Sequence, residues 1–213
     1  RDLLPDLDED KISTMGEKRQ QAYRNLLNTE GINVYEDIVD LIRQLGQRDV
    51  KLAVGSASSF APGILKEIGI YELFDEVITG KDVGQSKPKK PAIFILAVER
   101  MGIKPEQVIV IGDAISDIEA GKKGKFALVI GINRADNRKA LLKAGADIVV
   151  DDLKGLDFNK LSELFELFIR VKKNIFSGYQ IQLFIDQDIR LWRLTDISSG
   201  SYIDVMPERG NTI

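Results

Sequence analysis

Apolar residues fall along this chain in two alternating rhythms. Short unbroken runs, VKLAVGS at 50–56, DEVIT at 75–79, QVIVIGD at 107–113, FALVIG at 126–131 and ADIVV at 146–150, have the length and β-branched character of strands buried on both faces. Between them apolar residues recur every three or four positions. Ile38, Leu41, Ile42 and Leu45 predict a helix over 35–45, and the same spacing predicts helices over 62–68, 91–101, 115–123 and 137–144. Upstream, the polar stretch from Glu9 to Asn28 carries a loose stripe of Ile12, Met15, Ala22, Leu26 and Leu27, which predicts one or two helices stopped near Gly31.

Strands without polar alternation, separated by amphipathic helices, imply a parallel sheet covered on both faces, the doubly wound α/β architecture. Beyond Leu156 the rhythm changes. NKLSELFELFIRVKK at 159–173 sets Leu161, Leu164, Phe165 and Phe168 on one helical face, and YQIQLFIDQDIRLWRLTD at 179–196 alternates like a hairpin. Three segments are therefore expected: helical residues 1–33, a core over 34–156, and a C-terminal helix and β-hairpin over 157–213 that form an appendage or lead into a further module.

Composition narrows the chemistry. The 213 residues carry 30 Lys and Arg against 33 Asp and Glu, a formal charge of −3, with the two signs interspersed. That balance gives no nucleic-acid footprint and no polybasic membrane anchor. The chain has no cysteine and no histidine, which removes disulfides, thiolate nucleophiles, Ser-His-Asp triads and His-ligated zinc together. Catalysis would rest on Asp, Glu, Lys, Ser or a hard metal ion. No apolar run approaches the roughly 20 residues of a membrane span, and RDLLPDLDED lacks a signal-peptide pattern, so a cytoplasmic location is the default expectation.

In an open parallel sheet ligands collect at the carboxyl ends of strands, where loops diverge and helix N-termini point inward. Three loops at that edge carry suggestive residues. Asp113 follows its strand directly and Asp117 lies one helical turn later, so the two carboxylates can converge as Mg²⁺ ligands; equally, Asp117 can serve as a first-turn acid favoured by the helix dipole. Ser56, at the end of another strand, is followed by Ala57, Ser58 and Ser59, small residues able to cradle a phosphate or to cap a helix. Lys87, Lys89 and Lys90 precede a helix opened near Pro91, an unfavourable place for cations unless an anion lies close by, or else a solvated basic loop.

The three loops in this order, Ser after one strand, Lys before a helix and GDxxxD after the next strand, resemble the haloacid dehalogenase superfamily of phosphatases and phosphomutases. Within it, VKLAVGSAS, LFDEVITGKDVGQSKP and GIKPEQVIVIGDAISDIEAGKKGKFALVIGINR are similar to the β-phosphoglucomutase-like branch. The resemblance implies a Rossmann-like core with a remnant helical cap over 1–33, acting with Mg²⁺ on a small phosphorylated metabolite, a sugar phosphate by analogy. It implies that Ser56 and the Ala57 amide bind the phosphoryl oxygens, that Lys87 neutralises charge on phosphate and nucleophile, and that Asp113 and Asp117 hold or orient the metal. The run from Phe126 to Leu156 is also similar to versions fused to disaccharide phosphorylases, which implies a fused or associated carbohydrate-active domain.

The chain departs from the family pattern in three places. Mutases of the branch carry Glu-Asp where this chain has Gly112-Asp113, and GDAISD is closer to the phosphatase form, which tilts the expectation toward hydrolysis. The lysine loop holds one extra residue, so Lys89 is an alternative to Lys87. The family's nucleophile, the first Asp of DxDG at the end of an early strand, is not evident. PDLDED at 5–10 has the spacing without the strand, and Asp186 and Asp188 follow an apolar run at the wrong end of the chain, where only a circular permutation would serve. A non-catalytic phosphate-binding or interaction module of a carbohydrate-processing protein is the alternative expectation.

Overall fold

The computed structural model describes residues 9–84, 90–174, 179–186, 189–196, 198–199 and 201–205 of the chain. They fall into two compact units, Arg1–Tyr35 and Glu36–Ile213. The first is built on one helix, α1 (Glu9–Glu30), rather than two. It ends at Gly31, whose φ of 74° lies in the left-handed region that glycine adopts without a Cβ clash, and the Gly31 N–H donates to the Leu27 carbonyl at 3.0 Å.

The second unit alternates helix and strand as its apolar pattern requires. In chain order it contains α2 (Glu36–Leu45), β1 (Ala53–Ser56), α3 (Ala61–Glu67), β2 (Glu76–Thr79), α4 (Lys90–Met101), β3 (Ile109–Gly112) and α5 (Ile115–Lys123). There follow β4 (Leu128–Ile132), α6 (Arg138–Lys143), β5 (Ile148–Val150), α7 (Phe158–Asn174), β6 (Tyr179–Asp186), β7 (Ile189–Asp196) and β8 (Tyr202–Val205). The strands form two sheets. One is the parallel pair β1–β2, and the other has the order β3-β4-β5-β6-β7-β8, parallel through β6 and antiparallel after it.

Because side chains alternate across a strand, the larger sheet sorts its apolar residues onto two faces. Leu128, Ile130, Ile132, Ile148 and Val150 turn to one face and pack with Leu41 of α2 and Leu161, Leu164 and Phe168 of α7. Val110, Val129 and Val149 turn to the other and meet Val98 and Met101 of α4, Ile118 of α5 and Leu141 of α6. Every residue of β4 and β5 is buried, which explains why their sequences show no polar alternation. The doubly wound α/β fold is thus present, with helices on both sides of a parallel sheet.

The C-terminal helix and hairpin, expected as an appendage, are continuous with this core. The apolar stripe of α7 closes one face of the sheet, and β6 pairs with β5 in parallel register, Ile148 opposite Leu183 and Val149 opposite Phe184. The β6–β7 hairpin has the expected antiparallel pairing, and β8, which the sequence pattern did not announce, adds a further strand beside β7. Among the described residues no helix is long and apolar enough to cross a membrane.

A buried ion pair ties the carboxyl edge together. Asp37 in the first turn of α2 accepts two hydrogen bonds from one Arg134 nitrogen at 2.6 and 2.5 Å, and a third from the Leu153 N–H at 2.8 Å. Burial alone would raise the Asp37 pKa. The Leu153 amide and the Arg134 guanidinium outweigh it and hold the carboxyl below its ordinary value.

Candidate functional site

The loop after β3 places the first two candidate residues. Asp113 leaves the strand and is exposed, whereas Asp117, in the first turn of α5, is 8% exposed. Asp117 sits so close to the strand that a Cβ on Gly112 would lie 2.5 Å from the Asp117 Cβ and 2.9 Å from its Oδ2. Glycine before Asp113 is therefore a packing requirement of Asp117: any side chain at 112 would displace that carboxylate. The Ala114 carbonyl accepts the Asp117 N–H at 2.9 Å and the Ile118 N–H at 3.3 Å, which starts the helix.

Among the described residues, the cation beside this carboxylate is Lys90. Its ammonium pairs with Asp117 Oδ1 across the α4–α5 contact, and both groups are largely buried. Lys87 and Lys89 lie outside the described residues. Lys90 belongs to the same basic segment, in which the family resemblance implies a role for Lys87 or, alternatively, Lys89. The pairing supplies the anion that a cation at a helix start requires.

Ser56 closes β1 in register with Thr79 of β2. Its Oγ accepts the Ser58 N–H at 3.2 Å, and Ser58 Oγ accepts the Phe60 N–H at 3.3 Å, so the serines shape the turn into α3 while Ala57 is exposed. Helix α4 places this loop near the aspartates. Lys90 and Phe94 are one helical turn apart; the first pairs with Asp117, and the second abuts Gly55, where a Cβ would come within 2.5 Å of the ring. The strand end carrying Ser56 and the helix start carrying Asp117 thus both border the opening turns of α4.

Two further features of this edge were not evident from the sequence. Asp82 accepts hydrogen bonds from the Thr79 N–H and Oγ1, each at 2.8 Å, and these bonds, against the cost of burial and with help from Arg100, lower its pKa. That knot fixes the loop leaving β2 toward the lysine segment. Asn137 precedes α6, a position where Asn commonly accepts a helix N–H, yet it makes no side-chain cap. Its Nδ2 instead points to the Asp113 carbonyl at 3.5 Å, and its buried Oδ1 receives no hydrogen bond among the described residues. Asn133 Oδ1 is similarly buried without a donor, while its Nδ2 donates to Asp151 at 2.8 Å.

Asp186, one of the two carboxylates of the circularly permuted alternative, does not stand beside β3. Asp186 ends β6, three strands from β3 in the sheet order, a separation of roughly 14 Å at about 4.8 Å per strand. Asp188 lies outside the described residues, as do Asp6 and Asp8, while Asp10 belongs to α1. Among the described residues no group of three or more carboxylates gathers into a metal cluster. The exposed Asp113 carboxylate is a hard-oxygen donor of the kind that suits Mg²⁺ with waters completing its shell, and the buried Asn137 oxygen is an acceptor open to such a water.

A parallel core wound on both faces, with its polar residues gathered at the carboxyl edge, defines a Rossmann-like α/β domain. Residues 1–125 match the haloacid dehalogenase-like hydrolases, and the chain belongs to that family. It is similar to the β-phosphoglucomutase of Mycobacterium bovis, 30% identical over 149 residues that cover 67% of this chain and 56% of that protein. A glycosyl hydrolase of uncharacterised activity from Mycobacterium tuberculosis is 26% identical over 193 residues, 86% of this chain and 14% of that protein. The chain therefore spans only part of the length of these relatives. Among solved structures, a β-phosphoglucomutase from Clostridium difficile superposes with a TM-score of 0.65 at 24% identity, covering 78% of this chain and 72% of that one, and shares the fold.

Proposed function

We propose that this chain is the core of a Mg²⁺-dependent phosphatase acting on a small phosphorylated sugar. The observation that carries the reading is the buried Lys90–Asp117 pair beside the exposed Asp113, bordering the same helix end as the Ser56 strand. In this reading the Ser56 hydroxyl and the Ala57 amide bind phosphoryl oxygens. Lys90, held by Asp117, adds positive charge beside them, taking the part that the family resemblance gave to Lys87. Asp113 holds the cation, and Asp117 serves mainly to orient Lys90. When bound, Mg²⁺ would supply charge neutralisation to the phosphoryl group. Such positioning and electrostatics are most of what phosphoryl transfer asks of a protein.

The remaining part is the attacking carboxylate. Strands β1 and β3 each stand at the edge of a separate sheet.

The test is phosphate release from a panel of hexose phosphates by the protein in its full reading frame, with and without Mg²⁺. Mg²⁺-dependent release that Asp113→Asn abolishes supports the reading. Absence of release from every sugar phosphate, or release indifferent to both metal and Asp113, overturns it. A second reading, a phosphate-binding module attached to a carbohydrate-active enzyme, is favoured by the match to a small share of a glycosyl hydrolase. It predicts phosphate binding without turnover in the same assay.

A further inference from the structure

Asn137 occupies a place where its side-chain oxygen would ordinarily cap a helix, and it does not do so. The amide turns instead toward the strand end that carries Asp113, with Nδ2 on the Asp113 carbonyl at 3.5 Å. The amide is assigned this way round because the exchange would turn its oxygen, not its nitrogen, toward the Asp113 carbonyl. What remains is a buried oxygen with no donor among the described residues, beside the residue assigned to the cation. A buried acceptor left unpaired is costly, and a site that retains one has a donor arriving from elsewhere.

We infer that Asn137 is a positioning residue of this centre: its Nδ2 steadies the backbone of Asp113, and its Oδ1 accepts a hydrogen bond from a water of the cation held there. This rests on the Mg²⁺ reading of Asp113 above and adds a residue that the sequence motif does not contain. Partners of this kind around a metal set its affinity, and their loss commonly costs tenfold to a hundredfold.

The experiment is calorimetric titration of the protein with MgCl₂ alone, so that the readout is affinity and not turnover. Asn137→Ala is expected to weaken Mg²⁺ binding about tenfold or more. Asn137→Ser, which offers α6 a good cap but is too short to serve both groups, is expected to weaken it equally while melting, in EDTA, no lower than Asn137→Ala. Asn137→Asp retains an acceptor and is expected to bind within a few-fold of wild type or more tightly. Wild-type affinity in Asn137→Ser, or loss in Asn137→Asp as large as in Asn137→Ala, overturns the inference and leaves the Asp113 assignment standing. Absence of Mg²⁺ binding by wild type removes the metal assignment itself, and the inference falls with it.

Discussion

Replacing Asp37 with alanine tests how the carboxyl edge is held. The substitution removes three hydrogen bonds at once, two of them charge-assisted from Arg134 and one from the Leu153 N–H. It also deprives two poorly hydrated groups of this partner. The Arg134 side chain is 15% exposed and Leu153 is 3% exposed, so water recovers little of the loss. Charge-assisted bonds contribute roughly 1.5–3 kcal/mol each and an orphaned buried amide costs about 1–3 kcal/mol. These contributions share one carboxylate and do not add, and breaking a buried pair costs about 3–5 kcal/mol. With a slope of about 2 kcal/mol per molar urea, the midpoint should fall by roughly 1.5–2.5 M, read by circular dichroism. Acid supplies a second arm. The folded pKa of Asp37 is depressed, so its contribution is complete above the ordinary value of 3.8 and is lost as pH falls through the lower folded value. The gap between wild type and Asp37→Ala should therefore close below pH 3.8. A cost under about 1 kcal/mol at neutral pH, the worth of a surface pair, would refute the reasoning.

Gly112→Ala should cost about 1–3 kcal/mol by overpacking against Asp117, and an unchanged melting temperature would show that the helix start yields freely. Phe168→Ala removes a ring that is 2% exposed from the contact of α7 with the sheet, and should cost about 3–5 kcal/mol in urea unfolding. If that loss were under 1 kcal/mol, α7 would not belong to the cooperative core.

The elements were legible where burial is on both sides. QVIVIGD and FALVIG read as strands because nothing polar interrupts them, and they are β3 and β4. The short strand β8, YIDV in sequence, is too brief for its pattern to announce itself, and it pairs along the edge that β7 offers. The positions of Asp113, Asp117 and Ser56 at the carboxyl edge could be named in advance because strand ends are fixed by strand patterns. The Lys90–Asp117 pair was not legible, since it depends on which lysine opens α4 and so faces α5. Asp37 and Arg134 lie 97 residues apart and meet only through the winding of the sheet. Asn137 read as an ordinary helix start, and only its partner across the loop shows otherwise.

Helix α4 carries a consequence for how such a centre is calibrated. Lys90 and Phe94 rise from one face of a rigid rod, the first fixed to α5 by charge and the second set against the bare backbone of β1 at Gly55. The bulk of an aromatic ring therefore gauges the opening between two strand ends that belong to different sheets. Phe94 also meets Phe126 edge to face, with centroids 6.1 Å apart, so the gauge is clamped from behind. The width of the opening is thus set by uncharged carbon, and mutation can tune it without altering any group that would touch a ligand.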